Sequence, residues 1–487
     1  MVNNGRPSKY CFPCRKRKLR CDLAPGGCGQ CRRVKLSCHG YRDFTQLLFR
    51  DETKTTASKV SARLTAAVAS CSHVSIRDPP HLTWEDISRD AFLSLYVVGL
   101  SHTFDTLPAL LTTSPPDGHL HISLGAASLA FMSFHFNRHD LLLLASKQYV
   151  AAIRSVRSAL NTSNSSDFQH DSNNDEVVQS ALLLDLYEKI ANRHEHQSAS
   201  WLSHARGALH MVCDRANTDF SNPTTCQLAN NAAVALMKSC GIAGVPVPPS
   251  LLALREDLNS YVRDAEWSFT GLVVGIVNLR AYTQSLASGA AYPNVVLRRA
   301  KILDEHMALV QERLQRSWKA TRTFTVAYNP LIFGRYYDVY PSHHATQVTN
   351  AVRMMRLELN SIIQHMGHDE DHTIKSQTRE IIRELNRHLC AAVPQFLLLI
   401  GGDATSLPVY TLPPLQRLHC CTMLTPLYLS FCLTEDSYMK EWILQILLRM
   451  AEHGIKLASD VFQLISSGKL ADYWALYAMV GSYAIAA

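Results

Sequence analysis

Six of the chain's fourteen cysteines crowd into one short stretch, at Cys11, Cys14, Cys21, Cys28, Cys31 and Cys38. Their spacing is C-x2-C-x6-C-x6-C-x2-C-x6-C, one half-pattern written twice around the connector Pro25-Gly26-Gly27. A thiolate is a metal ligand, and zinc takes four ligands in a tetrahedron. Two zinc ions need eight ligand positions, and six sulfurs fill them if two sulfurs bridge. A stretch this short, with so few apolar side chains, cannot bury a core and needs a staple of this kind. The local excess of Lys and Arg offsets the thiolate charge and favours thiolate over thiol. Each C-x2-C turn brings two sulfurs to one metal, and the residues after it can wind as a short helix whose N-terminus favours thiolate charge. A disulfide knot would need an oxidising compartment, and no apolar signal segment precedes Cys11.

The two halves share spacing but not charge. Between Cys14 and Cys21 stand Arg15, Lys16, Arg17, Lys18 and Arg20, with Leu19 the one apolar residue. Between Cys31 and Cys38 only Arg32, Arg33 and Lys35 are basic. Residues 1–50 hold twelve Lys and Arg against two Asp, which leaves 36 basic and 39 acidic residues in the rest of the chain. That asymmetry is an electrostatic footprint for a polyanion, concentrated at one end. Basic side chains fanning out from a short helix can hold phosphates while one or two reach base edges in the major groove. Lys is a good donor to the guanine N7 and O6 acceptors, so a G-rich half-site is expected. Import into the nucleus is a compatible role for Arg15–Lys18. RNA binding is disfavoured, since only Tyr10 and Phe12 lie near the patch as stacking platforms.

This stretch resembles the fungal Zn2Cys6 binuclear-cluster DNA-binding domain. All six cysteines, the basic run after the second, Asp22 after the third and the connector proline match it. The resemblance implies two zinc ions, with Cys11 and Cys28 bridging, Cys14 and Cys21 completing one site, and Cys31 and Cys38 the other. It implies a CGG-type triplet read by Lys18 with Arg17 beside it, and phosphates held by Arg15, Arg20 and Lys9. The pieces Gly40-Tyr-Arg-Asp and Phe49-Arg-Asp-Glu-Thr are similar to one branch of the same regulators.

The rest of the chain must position this module. The expected fold is a small zinc-stapled domain over 1–45, a linker with a short helix over 46–90, and a large all-α domain over 91–487. In the linker, Val60, Leu64 and Val68 form one helical stripe, too short and Thr/Ala-rich for a coiled coil. Pairing of two copies of the chain there is the weaker expectation. Beyond it, apolar runs at helical spacing cover Leu141–Ala159, Val177–Ile190, Trp201–Met211, Val295–Leu314, Val348–Ile363, Ile374–Leu389 and Glu441–Leu457. Pro115-Pro116, Gly244–Pro249, Pro293, Pro330, Gly401-Gly402 and Pro413-Pro414 break them. Residues 161–176 read as a polar loop. The chain is 47% hydrophobic, enough to bury a sizeable core.

Leu182-Leu-Leu-Asp-Leu-Tyr-Glu188 and Trp201-Leu-Ser-His204-Ala-Arg-Gly207-Ala208 resemble the fungal-specific transcription factor domain found behind such clusters. Physically they read as helix packing, with Gly207 admitting a neighbouring helix and His204 a hydrogen-bonded core histidine. The His194–His196 and His365–His372 groups read as solvated loops rather than metal sites. No Gly-rich phosphate loop, nucleophile elbow or HExxH motif occurs, so an enzyme is not expected. Cys71, Cys213, Cys226, Cys240, Cys390, Cys420, Cys421 and Cys432 read as buried, reduced thiols. Leu418–Leu433 and Tyr473–Ala487 are too short for membrane spans.

The expectation is a nuclear, sequence-specific transcription factor of RNA polymerase II genes. Its partners would be double-stranded DNA and the transcription machinery. The resemblance adds control of a secondary-metabolite gene cluster as a plausible regulon. The rival is a ligand-responsive or small-molecule-binding helical protein that uses the zinc module for localisation. A third reading is a cofactor protein that borrows its DNA specificity from a partner.

Overall fold

Short helices that end abruptly, then long helices that bury apolar stripes, divide the chain between Cys-rich and Leu-rich sequence. The computed structural model describes residues 9–41, 82–163, 170–192, 200–214, 219–284, 292–367, 372–398 and 412–480. The chain separates into two compact units, Met1–His81 and Leu82–Ala487. The expected Val60/Leu64/Val68 stripe, the His194–His196 group, His368, Gly401-Gly402 and Cys71 lie outside the described residues.

In the first unit, helix α1 (Phe12–Lys16) and helix α2 (Gly29–Arg33) each hold one C-x2-C turn. Gly26 and Gly27 between them have φ of +79° and +127°, the left-handed region that L side chains avoid. They let the chain reverse so that the second half returns over the first. Gly29 is needed for a different reason. A Cβ there would lie 2.7 Å from Asp22 Oδ2, whose carboxylate accepts the Gly29 N–H at 2.8 Å. Asp22 thereby ties the end of the first half to the start of α2.

The second unit opens at Leu82, so residues 82–90, which composition assigns to the linker, are part of the body. Thr83 and Asp86 form a reciprocal cap on the helix Trp84–Ala91. A π-helical segment, Phe92–Val98, follows without a break and places Phe92 and Tyr96 in a stack, ring centroids 5.1 Å apart, against Phe131. Long helices then bury a continuous core: His119–His135, Asp140–Ser163, His170–Ala191, Ser200–Cys213 and Pro223–Ala243 pack on one another. Pro293–Ser317, His343–Met366 and His372–Ala392 form a further packed set. Tyr473–Val480 closes the core, its Tyr473 hydroxyl and Trp474 indole N–H both donating to buried Glu358.

Most of the expected helical runs lie inside observed helices. Four readings need correction. Residues 161–163 and 170–176 are helical, not loop. Asp175 there is buried and accepts from the Thr225 hydroxyl at 2.9 Å, a partner fifty residues away. The Glu441–Leu457 run is two helices, Ser437–Glu452 and Lys456–Ser466, parted where Gly454 takes φ +84°. A two-stranded antiparallel hairpin, Thr321–Phe324 with Tyr336–Val339, stands in a region without strand-like alternation, pinned by Arg322 and Asp338 at 2.8 and 2.9 Å. Cys213 is exposed and Cys226 and Cys432 are half-buried, while Cys240, Cys390, Cys420 and Cys421 are buried as expected.

Candidate metal centre and nucleic-acid interface

The duplication in the sequence is repeated atom by atom in the backbone. Arg15 N donates to Cys11 O at 3.1 Å, and Arg32 N to Cys28 O at 3.1 Å. At the helix ends Lys18 N donates to Arg15 O and Leu19 N to Cys14 O, at 3.2 and 2.9 Å. The matching bonds from Lys35 N to Arg32 O and from Leu36 N to Cys31 O measure 3.1 and 3.0 Å. This is the two-bond stop that normally uses glycine, because its turn residue is left-handed. Here lysine fills both turn positions, Lys18 with φ +54° and Lys35 with φ +52°. A left-handed lysine costs about 1 kcal/mol or more against a right-handed one.

The stop corrects the expectation that the basic run lies along a helix. Of the basic run, α1 contains Arg15 and Lys16 only; Arg17 and Lys18 form a turn, and Leu19 and Arg20 lie outside any helix. The physical reason is Cys21. A continuing helix would carry it away from Cys11 and Cys14, and the left-handed turn sends it back.

The sulfurs converge. Cys11 Sγ lies 3.6 Å from Cys28 Sγ, 3.7 Å from Cys31 Sγ and 3.8 Å from Cys21 Sγ, and Cys14 Sγ lies 3.6 Å from Cys28 Sγ. Sulfurs at the corners of a zinc tetrahedron with ~2.3 Å bonds stand about 3.8 Å apart, so the separations fit that ion. Two sets of four sulfurs lie mutually within 4.8 Å, Cys11/Cys14/Cys21/Cys28 and Cys11/Cys28/Cys31/Cys38. Cys11 and Cys28 belong to both. Among the described residues no other group of His, Cys, Asp and Glu could hold a metal, and His365 and His372 join no such set.

Without a metal the thiols perturb one another. Burial pushes the Cys11 and Cys14 thiols up. A hydrogen bond that its thiol donates to Cys28, and then burial, push Cys31 up to about 12. Burial also acts to raise Cys28, but the Cys31 backbone N–H and the neighbouring thiols outweigh it and bring Cys28 down to about 6. Sγ of Cys28 accepts that N–H at 3.3 Å. Several protons crowded on one sulfur core are what a divalent cation would displace. Tyr41 closes the unit by donating its hydroxyl to Ala24 O.

Around this core the cations face outward. Lys16, Arg17, Lys18 and Arg20 are exposed, as is Lys9. Arg15 is half-buried, its guanidinium 5.9 Å from the Phe12 ring centroid. On the second half Arg32, Arg33 and Lys35 are exposed too. Cysteine spacing does not foretell the left-handed pair Lys18 and Lys35. The signal that could is a lysine four residues after the second cysteine of each half.

In the body, His204 Nε2 lies 2.8 Å from the Tyr149 hydroxyl, which also donates to Glu188, so His204 is a hydrogen-bonded packing residue. Gly207 admits no helix: a Cβ there would meet nothing within 4 Å. No helix among the described residues is long and apolar enough to cross a membrane.

Residues 9–48 match the family model described as Fungal Zn(2)-Cys(6) binuclear cluster domain. No curated protein and no solved structure matches the chain. The N-terminal unit is thus a small zinc-cluster domain that binds two zinc ions, and a largely helical body follows it.

Proposed function

We propose that the chain is a nuclear, sequence-specific DNA-binding regulator of RNA polymerase II transcription. The observation that carries the reading is Lys18, held left-handed at the end of α1 beside a sulfur core and flanked by Arg15, Arg17 and Arg20. Backbone strain of this kind persists where surrounding structure enforces it, and it aims one side chain in a fixed direction. One zinc is held by Cys11, Cys14, Cys21 and Cys28, and the other by Cys11, Cys28, Cys31 and Cys38. The metal supplies rigidity and takes no part in a reaction. Lys18, with Arg17, donates to guanine O6 and N7 of a CGG-type half-site; Arg15, Arg20 and Lys9 hold phosphates. The body then recruits transcription machinery and carries the fungal-specific regulatory role over 91–487. Control of a secondary-metabolite gene set rests on the family resemblance.

The test is binding of the full-length, zinc-loaded protein to a CGG-containing duplex and to a scrambled one. Lys18→Ala is expected to remove about 1–3 kcal/mol of discrimination between them. Arg20→Ala should weaken both duplexes alike and flatten the salt dependence. Undiminished preference in Lys18→Ala would reject the assigned reader.

A further inference from the structure

A cleft of about 380 Å³ opens on the body between four helices. Its walls come from the last turn of His119–His135, one side of Pro414–Cys421, the first turn of Lys456–Ser466 and the end of Ser437–Glu452. The size lies in the range of sites that take small organic molecules. Phe134, Phe136, Leu418, Ile455 and Leu457 make most of the lining apolar.

Two cations stand at this apolar cleft, Arg417 and Lys456, and no carboxylate lines it among the described residues. Neither cation has an ion-pair partner among the described residues. The guanidinium of Arg417 lies 5.9 Å from the Phe136 ring centroid, and its Nη1 is 3.5 Å from where a Cβ on Gly454 would sit. Asp140, close along the chain to the Asn137 wall, is already engaged by Arg138 through two bonds of 2.9 and 2.7 Å. The helix Lys456–Ser466 begins with no side-chain cap, and Lys456 and Leu457 are its first two residues. The helix dipole adds partial positive charge at the rim.

Apolar walls with an unpaired guanidinium leave one kind of occupant that satisfies both. A neutral hydrocarbon would fill the walls and leave Arg417 without an anion. A polyphosphate would carry more charge than two cations balance and would waste the apolar lining. We infer that this cleft binds a small organic monoanion, a carboxylate on an aromatic or branched aliphatic body. The anion pairs with Arg417 and Lys456, and the body lies against Phe136, Leu418 and Leu457.

The test of this site uses no DNA. Full-length, zinc-loaded protein is titrated calorimetrically with 4-phenylbutyrate and with 4-phenylbutan-1-ol, which has the same body without the charge. The acid is expected to bind saturably, one per chain, at least about tenfold more tightly than the alcohol, a difference of ~1.4 kcal/mol. Arg417→Gln should erase that preference, and Lys456→Gln, a change at an exposed position, should reduce it. Ala451→Phe, which fills the cleft, should block both probes. Arg383→Gln, an exposed change remote from the cleft, should leave the acid's affinity intact. Equal binding of acid and alcohol, no saturable binding of either, or unchanged acid affinity in both the Arg417 and Lys456 variants would overturn the inference.

Discussion

In residues 9–41 the buried side chains are sulfurs. Cys11, Cys14, Cys21, Cys28 and Cys31 are at most 5% exposed, while Phe12, Leu19, Leu23, Val34 and Leu36 are all exposed. In the body the order is reversed. Leucine, phenylalanine and tryptophan fill the interior, and its buried cysteines Cys240, Cys390, Cys420 and Cys421 sit among apolar neighbours. The same residue type thus does two jobs. In the first unit sulfurs meet sulfurs at metal-bridging distance. In the body burial dominates: it pushes Cys421 up to about 12 against the opposing charge of Arg417 and a backbone hydrogen bond, and the side chain behaves as a small hydrophobe. The two units therefore respond to different conditions. The cluster's folding free energy is set by zinc and its proton competitors. The body's is set by packing and by the polar groups it has buried.

Removal of the metal should break the comparison most sharply. Chelation of full-length protein with excess EDTA is expected to unfold the first unit completely and abolish DNA binding, because nothing apolar remains to hold it. The body's melting transition should not move. The check is zinc content by native mass spectrometry alongside calorimetry and hydrogen exchange. Persistent amide protection in residues 11–38 after chelation would show that the sulfurs are not the staple. Cys28→Ser, which touches both four-sulfur sets, should lose both ions, whereas Cys38→Ser touches only one set.

Legibility differs between the two units for the same reason. The cluster's ligands stand at duplicated spacing within one short stretch, Cys11 to Cys38, so spacing alone predicts the meeting. The body's helices are legible where apolar residues recur with helical period, as over Val348–Ile363. They are illegible where a polar residue is buried against a distant partner. Asp175 looks like loop until Thr225 is brought to it. The cleft cannot be read at all, since Phe136 and Lys456 are brought together only by packing. Within the cluster, spacing predicts that Cys21 returns to the metal. It does not say that the return is made by forcing Lys18 into a left-handed turn. The Trp84–Ala91 cap has a sequence signal, Thr83 with Asp86 three residues later, but the signal is short and sits beside a Pro-Pro linker that masks it.

Acid should sharpen the comparison by separating two events. His419 is buried in the body, stacked on His343 with ring centroids 4.0 Å apart. Burial, and then the charge of His343, bring its pKa down to about 3. The folded value lies below the unfolded ~6.5, so the unfolded chain takes the proton first. Stability conferred by the neutral ring is therefore whole above pH ~6.5 and is lost as pH falls toward 3, at about 1.4 kcal/mol per unit. At pH 5 that is roughly 2 kcal/mol. His419→Asn should flatten this acid limb in denaturant titrations of the body between pH 7 and pH 4. His119, His204, His343 and His388, each lowered chiefly by burial, should keep part of the slope. Zinc release, followed with a chromophoric chelator in the same samples, should have its own midpoint, unmoved by the substitution. A common shift of both curves would mean that the two units do not respond separately.

The smallest effect probes the duplication inside the cluster. Lys18 and Lys35 share the same strained turn, the same backbone bonds and the same exposure. Glycine at either position relieves the left-handed strain, offset in part by the entropy glycine adds to the unfolded chain. Both Lys18→Gly and Lys35→Gly are therefore expected to stabilise the cluster by on the order of 0.5–1 kcal/mol, read as a higher denaturant midpoint for zinc release. Their consequences for DNA should diverge. Lys18→Gly gains stability and loses preference for the CGG duplex. Lys35→Gly gains the same stability and loses only a phosphate-scale share of affinity, equal on both duplexes, because its half carries fewer cations. If the two variants lost sequence preference equally, the charge asymmetry between Arg15–Arg20 and Arg32–Lys35 would not be what selects the reading half. If neither gained stability, the left-handed turn would be no strain for lysine here. Strain would then not be what aims Lys18, while the sulfur geometry would stand.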